Sequence, residues 1–313
     1  MSKHGQKFSI LRPPLQPLKF HQEPEMFGVS AALTTPFAKD GAVDCAVLNA
    51  HIDVLLSEGC SSVTFFGTTG EGASVPAKTR LEVLKNAVDH GVDPQHCILC
   101  LYGPASGDVT DQITAAMALG VTRFLIPPPY YFSDPPADGL FAWYASVLSQ
   151  FEGTQAAFLL YHIPQVIGVG LPIDLVRRVK AAFPKLVIGV KDSSGSFENT
   201  RNLLDLPDLK ILIGDERLLA AGVKLGAAGT ISGMANLFAA ELAQVINSGE
   251  DNPRINHLID TVLEFPVTPA IKALVAHKYG VPDWSVTTPP LVSIAENGQK
   301  VLAQGFDTIR QDP

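Results

Sequence analysis

Lys191 ends an uninterrupted apolar run, Leu186-Val187-Ile188-Gly189-Val190. An amine drawn partly out of water there is disfavoured as ammonium, and the neutral form attacks carbonyl carbon and forms a Schiff base. Gly189, two residues earlier on the same face of an extended strand, leaves room beside it. Tyr161 ends a second apolar run and carries a phenol that can shuttle protons. Gly67-Thr68-Thr69-Gly70-Glu71-Gly72 is a glycine-bracketed hydroxyl loop between a strand pattern and a helix pattern. Its backbone N–H groups and the Thr68 and Thr69 hydroxyls suit a small carboxylate; an ordinary strand-to-helix turn is the alternative. The loop is neither G-x-G-x-x-G nor G-x-x-x-x-G-K-[ST], so a dinucleotide or nucleoside triphosphate lacks its fingerprint. Tyr130 and Tyr131 follow Pro127-Pro128-Pro129, which hold the chain extended, and serve either the site or aromatic packing. Asp215 and Glu216 either bind substrate hydroxyls or start a helix, where acids are favoured. The eight histidines are scattered without metal-ligand spacing, and no G-x-S-x-G elbow is present. Zinc and serine-hydrolase chemistry therefore have no signature.

These residues share one feature: each stands just after an apolar, β-prone run. Such runs fall near 27–33, 62–66, 97–102, 122–126, 156–161, 186–191, 210–213 and 229–232. Helical patterns lie between them, near 44–57, 78–89, 108–117, 138–148, 174–182, 217–225 and 239–246, with a weaker one at 197–204. Continuous apolar strands imply burial on both faces, as in parallel sheets covered by helices. Eight strand–helix units predict a (β/α)₈ TIM barrel, with a doubly wound open sheet as the alternative. In a barrel the chemistry lies at the C-terminal ends of the strands, where these polar residues fall. The reading divides the chain into an N-terminal arm (1–26), a barrel (27–247) and a C-terminal helical extension (248–313) with helices near 256–265, 269–279 and 293–307.

Composition narrows the function classes. With 313 residues, 46% hydrophobic and 17% charged, the chain buries a sizeable core and is not intrinsically disordered. A net charge of −8 and the absence of a long Lys/Arg run leave no footprint for nucleic acid or anionic lipid. No apolar stretch is long enough to span a membrane. The first residues, basic and free of acids to position 22, weakly resemble a transit peptide, but Pro13, Pro14 and Pro17 break an amphipathic helix there, so a surface arm and a cytoplasmic location are expected. Four cysteines are too few for a disulfide framework. Cys97 and Cys100 form a C-x-x-C pair, but within an apolar strand residues three apart face opposite sides, which predicts buried structural thiols.

At these positions the sequence resembles the dihydrodipicolinate synthase and N-acetylneuraminate lyase family of pyruvate-dependent class I aldolases. The resemblance runs from about 27 to 306. It is carried by Ala32-Leu33-Thr34-Thr35-Pro36-Phe37, Gly67-Thr68-Thr69-Gly70-Glu71, Pro129-Tyr130-Tyr131, Tyr161-His162-Ile163-Pro164, Gly189-Val190-Lys191-Asp192, Gly214-Asp215-Glu216 and Ile231-Ser232-Gly233. It implies Lys191 as the Schiff-base lysine, Tyr161 as proton shuttle, and Thr68 and Thr69 with Gly70 and the backbone at Ile231 as the carboxylate cradle. It implies further that Tyr131 reaches a neighbouring subunit's site, in a homo-oligomer that is usually a dimer of dimers. No cofactor is implied beyond the covalent lysine adduct with pyruvate or another 2-oxo acid. Dihydrodipicolinate synthases carry an arginine where this chain has Val166, and Ala105 cannot supply the amide seen in lysine-regulated members. The expectation is a lyase that releases pyruvate from a 2-keto-3-deoxy or 4-hydroxy-2-oxo acid, with a synthase or dehydratase of the same family as alternatives. Outside enzymes the alternative is a non-catalytic barrel that binds an oxoacid, against which Lys191 argues because binding alone needs no buried amine; a Rossmann oxidoreductase lacks its motif.

Overall fold

The computed structural model of the chain describes residues 27–311; the expected N-terminal arm lies outside the described residues. Eight parallel strands close into a barrel in sequence order: β1 (Gly28–Ala32), β2 (Ser62–Phe65), β3 (Cys97–Cys100), β4 (Arg123–Ile126), β5 (Ala157–His162), β6 (Val187–Asp192), β7 (Lys210–Ile213) and β8 (Gly229–Ser232). β8 returns to β1, with Ile231 opposite Ser30, so the sheet has no open edge and the doubly wound alternative is excluded. The intervening helices are α1 (Cys45–Ser57), α2 (Ala77–His90), α3 (Ser106–Met117), α4 (Ala137–Leu148), α5 (Pro164–Ile167), α6 (Ile173–Ala182), α7 (Phe197–Leu204), α8 (Leu219–Lys224) and α9 (Ala235–Ser248). Three more follow: α10 (Pro253–Leu263), α11 (Val267–Tyr279) and α12 (Glu296–Gln311).

Local signals set several boundaries. Asp44, Ser196 and Asn252 accept backbone N–H groups at the starts of α1, α7 and α10. Gly91, with φ of 115°, ends α2 in the left-handed region that a side chain would resist. α9 starts four residues before the expected 239. Its first turn, including Asn236, is buried on all sides and therefore has no amphipathic period to read, and the helix breaks at Phe238 before the periodic part begins. α5 is a single turn, too short to leave a period in the sequence.

The strands separate two cores. Cys97 and Leu99 of β3 join the layer beneath the helices, whereas Ile98 and Cys100 join a smaller cluster inside the barrel with Leu125, Leu159, Tyr161, Leu212 and Ile231. The C-x-x-C cysteines thus face opposite sides, and burial raises their thiol pKa values to about 12 for Cys97 and about 11 for Cys100. All four cysteines are free. Among the described residues no helix is long and apolar enough to cross a membrane. Among the C-terminal helices, α11 reaches the loop after β2.

Candidate active site

Tyr161 and Lys191 end neighbouring strands and sit opposite one another in the β5–β6 ladder. Lys191 is 4% exposed and donates from Nζ to Tyr161 Oη at 3.2 Å, with Nζ also 4.4 Å from the centre of that ring. Thr68 Oγ1 lies 3.2 Å from the same phenol oxygen. Because Lys191 donates to Tyr161, the phenolic proton is left for Thr68, and three side chains from three strand ends form one hydrogen-bonded chain. A break in register between Phe158 and Leu159 brings Leu159 opposite Gly189. A Cβ at Gly189 would stand 2.1 Å from the Lys210 carbonyl oxygen and 3.1 Å from Leu159 Cδ2. Glycine is thus required by the approach of β7 and of an inward leucine, beneath the lysine it was expected to clear.

The loop after β2 is tightly wound. Phe66 and Glu71 both adopt left-handed backbone (φ of 56° and 55°), which for residues with a Cβ costs on the order of 1 kcal/mol or more each. Gly70 packs so closely that a Cβ would lie 2.8 Å from the Leu33 carbonyl oxygen, and its own carbonyl accepts from Thr35 Oγ1 at 2.7 Å. Thr69 stands against the β8 loop, its Oγ1 3.3 Å from where a Cβ of Gly233 would be. The two halves of the expected cradle, Thr68-Thr69-Gly70 and the backbone after Ile231, are therefore adjacent across the rim.

Glu71 holds this loop in place. Its carboxylate forms an ion pair with Lys272 of α11 and accepts from Thr288 N at 2.7 Å and Thr288 Oγ1 at 2.8 Å. Both charged side chains are fully buried. Burial pulls the Lys272 pKa down while Glu71 pulls it back up, and Nζ also lies 4.4 Å from the Phe37 ring centre. Thr268, at the start of α11, donates to the Thr68 carbonyl at 3.2 Å.

Other expected residues are placed differently. Asp215 caps the turn Glu216–Leu218 by accepting from Arg217 N at 3.2 Å, and it also takes the Arg217 guanidinium. Glu216 turns inward, accepting from the Ser232 hydroxyl and from Met234 N at 3.2 Å, and burial pushes its pKa up. Asp215 is thus engaged within its own turn and Glu216 at the junction of β8 and α9. Val166 is 57% exposed on α5, just beyond Tyr161. Tyr131 is 78% exposed and packs edge-to-face on Phe132 with ring centres 5.3 Å apart; among the described residues no hydrogen bond joins it to the Thr68–Tyr161–Lys191 chain.

Several supporting residues carry no signal in the linear sequence. Asn236 accepts from Thr34 N at 3.1 Å and donates to the Ala32 and Gly233 carbonyls, tying β1 to the β8 loop. His51 pairs with Asn236 Oδ1 at 2.9 Å and with Tyr279 Oη at 3.0 Å. Asp192, beside the lysine, is buried and accepts from Thr200 Oγ1, Asn199 Nδ2 and Ser194 N.

Known proteins share this fold and sequence pattern. The sequence model of the Dihydrodipicolinate synthetase family matches residues 25–308. An uncharacterized DapA-like lyase of Chloroflexus aurantiacus is 31% identical over 294 residues, covering 90% of this chain and 96% of that protein. A 4-hydroxy-tetrahydrodipicolinate synthase of Porphyromonas gingivalis is 26% identical over 298 residues, covering 92% and 98%. Among solved structures, a dihydrodipicolinate synthase from Agrobacterium tumefaciens superposes with a TM-score of 0.87 at 46% identity, covering 90% of this chain and 99% of that one. With the closed barrel and the motifs in family order, the chain belongs to the dihydrodipicolinate synthetase family and is a class I lyase.

Proposed function

We propose that this lyase cleaves a 2-keto-3-deoxy or related 4-hydroxy-2-oxo acid, releasing pyruvate and an aldehyde. In this reading the Lys191 Nζ lone pair adds to C2 of the oxo acid and water leaves, forming an iminium. Thr68, Thr69 and the backbone near Ile231 receive the carboxylate. Tyr161, poised 3.2 Å from both Lys191 and Thr68, relays the proton of the 4-hydroxyl, accepting it on Oη as its own phenolic proton passes along the bond to Thr68 and on to solvent. The C3–C4 bond breaks, the aldehyde departs, and the bonding pair moves into the iminium to give an enamine. Proton return to C3 and hydrolysis then release pyruvate and the free lysine. The lysine serves as the electron sink, so the reaction needs no separate cofactor.

The observation that carries cleavage of a hydroxy-oxo acid is Val166. An exposed valine stands on α5 at the position where the family resemblance implies, for a synthase, an arginine that receives an amino-acid carboxylate. A second reading, condensation of pyruvate with an amino-acid semialdehyde, is favoured by the 46% identity to the Agrobacterium synthase structure. We infer also that a second copy covers Tyr131 and Phe132, in a dimer or a dimer of dimers.

Incubation with pyruvate and borohydride, followed by mass spectrometry of the peptide containing Lys191, tests the covalent step. The expected result is a reduced pyruvate adduct on that lysine, absent from Lys191→Ala. Pyruvate release is then assayed across 2-keto-3-deoxy sugar acids. Turnover confined to condensation with the semialdehyde would replace the cleavage reading with the synthase one.

A further inference from the structure

The inner face of β3 carries Ile98 and Cys100, and the next residue on that face is Tyr102. Cys100 pairs with Leu125, Leu125 with Leu159, and Leu159 with Gly189. Two residues further along each strand stand Tyr102, Pro127, Tyr161 and Lys191. Tyr102 thus occupies the barrel layer of the catalytic pair, and its side chain packs against the inner cluster that contains Tyr161.

The surroundings of Tyr102 are built to hold it there. Gln112 clamps its backbone, donating to the Tyr102 carbonyl at 2.8 Å and accepting from its N–H at 3.4 Å. Arg80, buried, donates to Gln112 Oε1 and to the Gly72 carbonyl, each at 2.6 Å, and its guanidinium carbon lies 5.2 Å from the Tyr102 ring centre. On the loop side, a Cβ at Gly72 would come within 2.6 Å of Tyr102 Cε2, so glycine there makes space for the ring. On its outer side Tyr102 lines a cavity of about 480 Å³ together with Arg80, Gln112, Asp108 and Tyr130. Tyr102 therefore borders both that cavity and the inner cluster that contains Tyr161. Its phenol pairs with Cys100, and burial holds its pKa well above the usual phenol range, so it remains uncharged beside Tyr161.

We propose that Tyr102 is a positioning residue for Tyr161: its ring, wedged between Gly72, Arg80 and the inner barrel, keeps the Tyr161 phenol aligned between Lys191 and Thr68. The inference rests on the Schiff-base reading of Lys191. Removing the wedge lets Tyr161 relax toward the outer cavity, which misaligns proton transfer while leaving Lys191 free to react.

The test separates those two steps with pyruvate as the only probe. Borohydride trapping reports Schiff-base formation at Lys191. Exchange of the pyruvate methyl hydrogens with D2O, followed by NMR, reports proton transfer at C3, which requires the aligned phenol. Tyr102→Ala is expected to keep trapping but to slow exchange by on the order of tenfold or more, and Tyr102→Phe, which keeps the ring, recovers most of that loss. Tyr102→Leu, which fills the core without an aromatic plane, gives the same reading if the alanine variant does not fold. Unchanged exchange relative to trapping in both Ala and Leu variants overturns the proposal. So does an equal loss in Tyr102→Phe, which would assign the effect to the hydroxyl. Absence of an adduct in the unsubstituted protein brings down the Schiff-base reading as well; an adduct with unaltered exchange removes the Tyr102 inference alone.

Discussion

Glu71 and Lys272, separated by 201 positions in the chain, form an ion pair from which solvent is excluded at both ends. Glu71 belongs to the loop that carries Thr68 and Thr69, and Lys272 to α11 beyond the barrel. The pair pins a backbone turn that its own torsions do not favour, since Glu71 sits at φ of 55°. Thr268 adds a second tie from α11 to Thr68. The C-terminal extension is thereby part of what shapes the loop that carries Thr68 and Thr69.

Breaking this pair from one side is expected to be costly. Lys272→Met leaves the Glu71 carboxylate buried without its cation, a change worth about 3–5 kcal/mol of stability. The double variant Glu71→Gln, Lys272→Met removes the stranded charge and recovers part of the loss. Urea unfolding midpoints measure both, and a single variant as stable as the parent would show that the pair carries no such weight.

Tyr161 makes both links of the Thr68–Tyr161–Lys191 chain. In Tyr161→Phe the lysine keeps its burial but both 3.2 Å bonds disappear. Turnover should fall by about 10²–10⁴, with the borohydride adduct on Lys191 still forming. Loss of the adduct together with turnover would mean that the phenol is needed for Schiff-base formation itself.

His51 gives the fold a pH dependence. The Asn236 Oδ1 oxygen already accepts from Thr34, so His51 Nε2 donates to it and Nδ1 accepts from the Tyr279 hydroxyl. Burial, with added repulsion from Lys278, lowers the His51 pKa from 6.5 to about 4 despite the Asn236 bond. The unfolded chain takes up the proton first. The stability held above pH 6.5 is therefore lost progressively as the pH falls to about 4, by about 3 kcal/mol. His51→Gln, which cannot titrate, should show a shallower decline of urea midpoint between pH 7 and pH 4; parallel declines would place the pH dependence elsewhere.

Three of the four cysteines, Cys60, Cys97 and Cys100, should be inert in the native protein. Burial raises the Cys60 and Cys97 thiols to about 12 and Cys100 to about 11, leaving almost no thiolate at pH 8. Iodoacetamide at that pH is expected to spare these three until denaturant is added. Rapid native labelling of Cys100, mapped by peptide mass spectrometry, would show that reagent reaches the barrel interior.

The sequence was sufficient for the barrel and for the strand-end residues Tyr161 and Lys191 that meet on its rim. Parallel strands buried on both faces leave continuous apolar runs, and residues such as Tyr161 and Lys191 betray themselves by ending those runs with polar chemistry. The C-x-x-C pair was legible for the same reason, since alternation along a strand is a local property. Contacts between distant segments leave no such trace. Glu71 reads as one acid in a hydroxyl loop until Lys272 arrives from α11, and Tyr102 as the end of a strand until Gly72 and Arg80 close around it. Glu216 shows the same limit: its type allowed two roles, and its partners Ser232 and Met234 come from the end of β8 and just beyond it, outside any local stretch around Glu216. A side chain's partners are set by the closure of the whole barrel, and that closure sums many weak interactions that no single stretch of sequence contains.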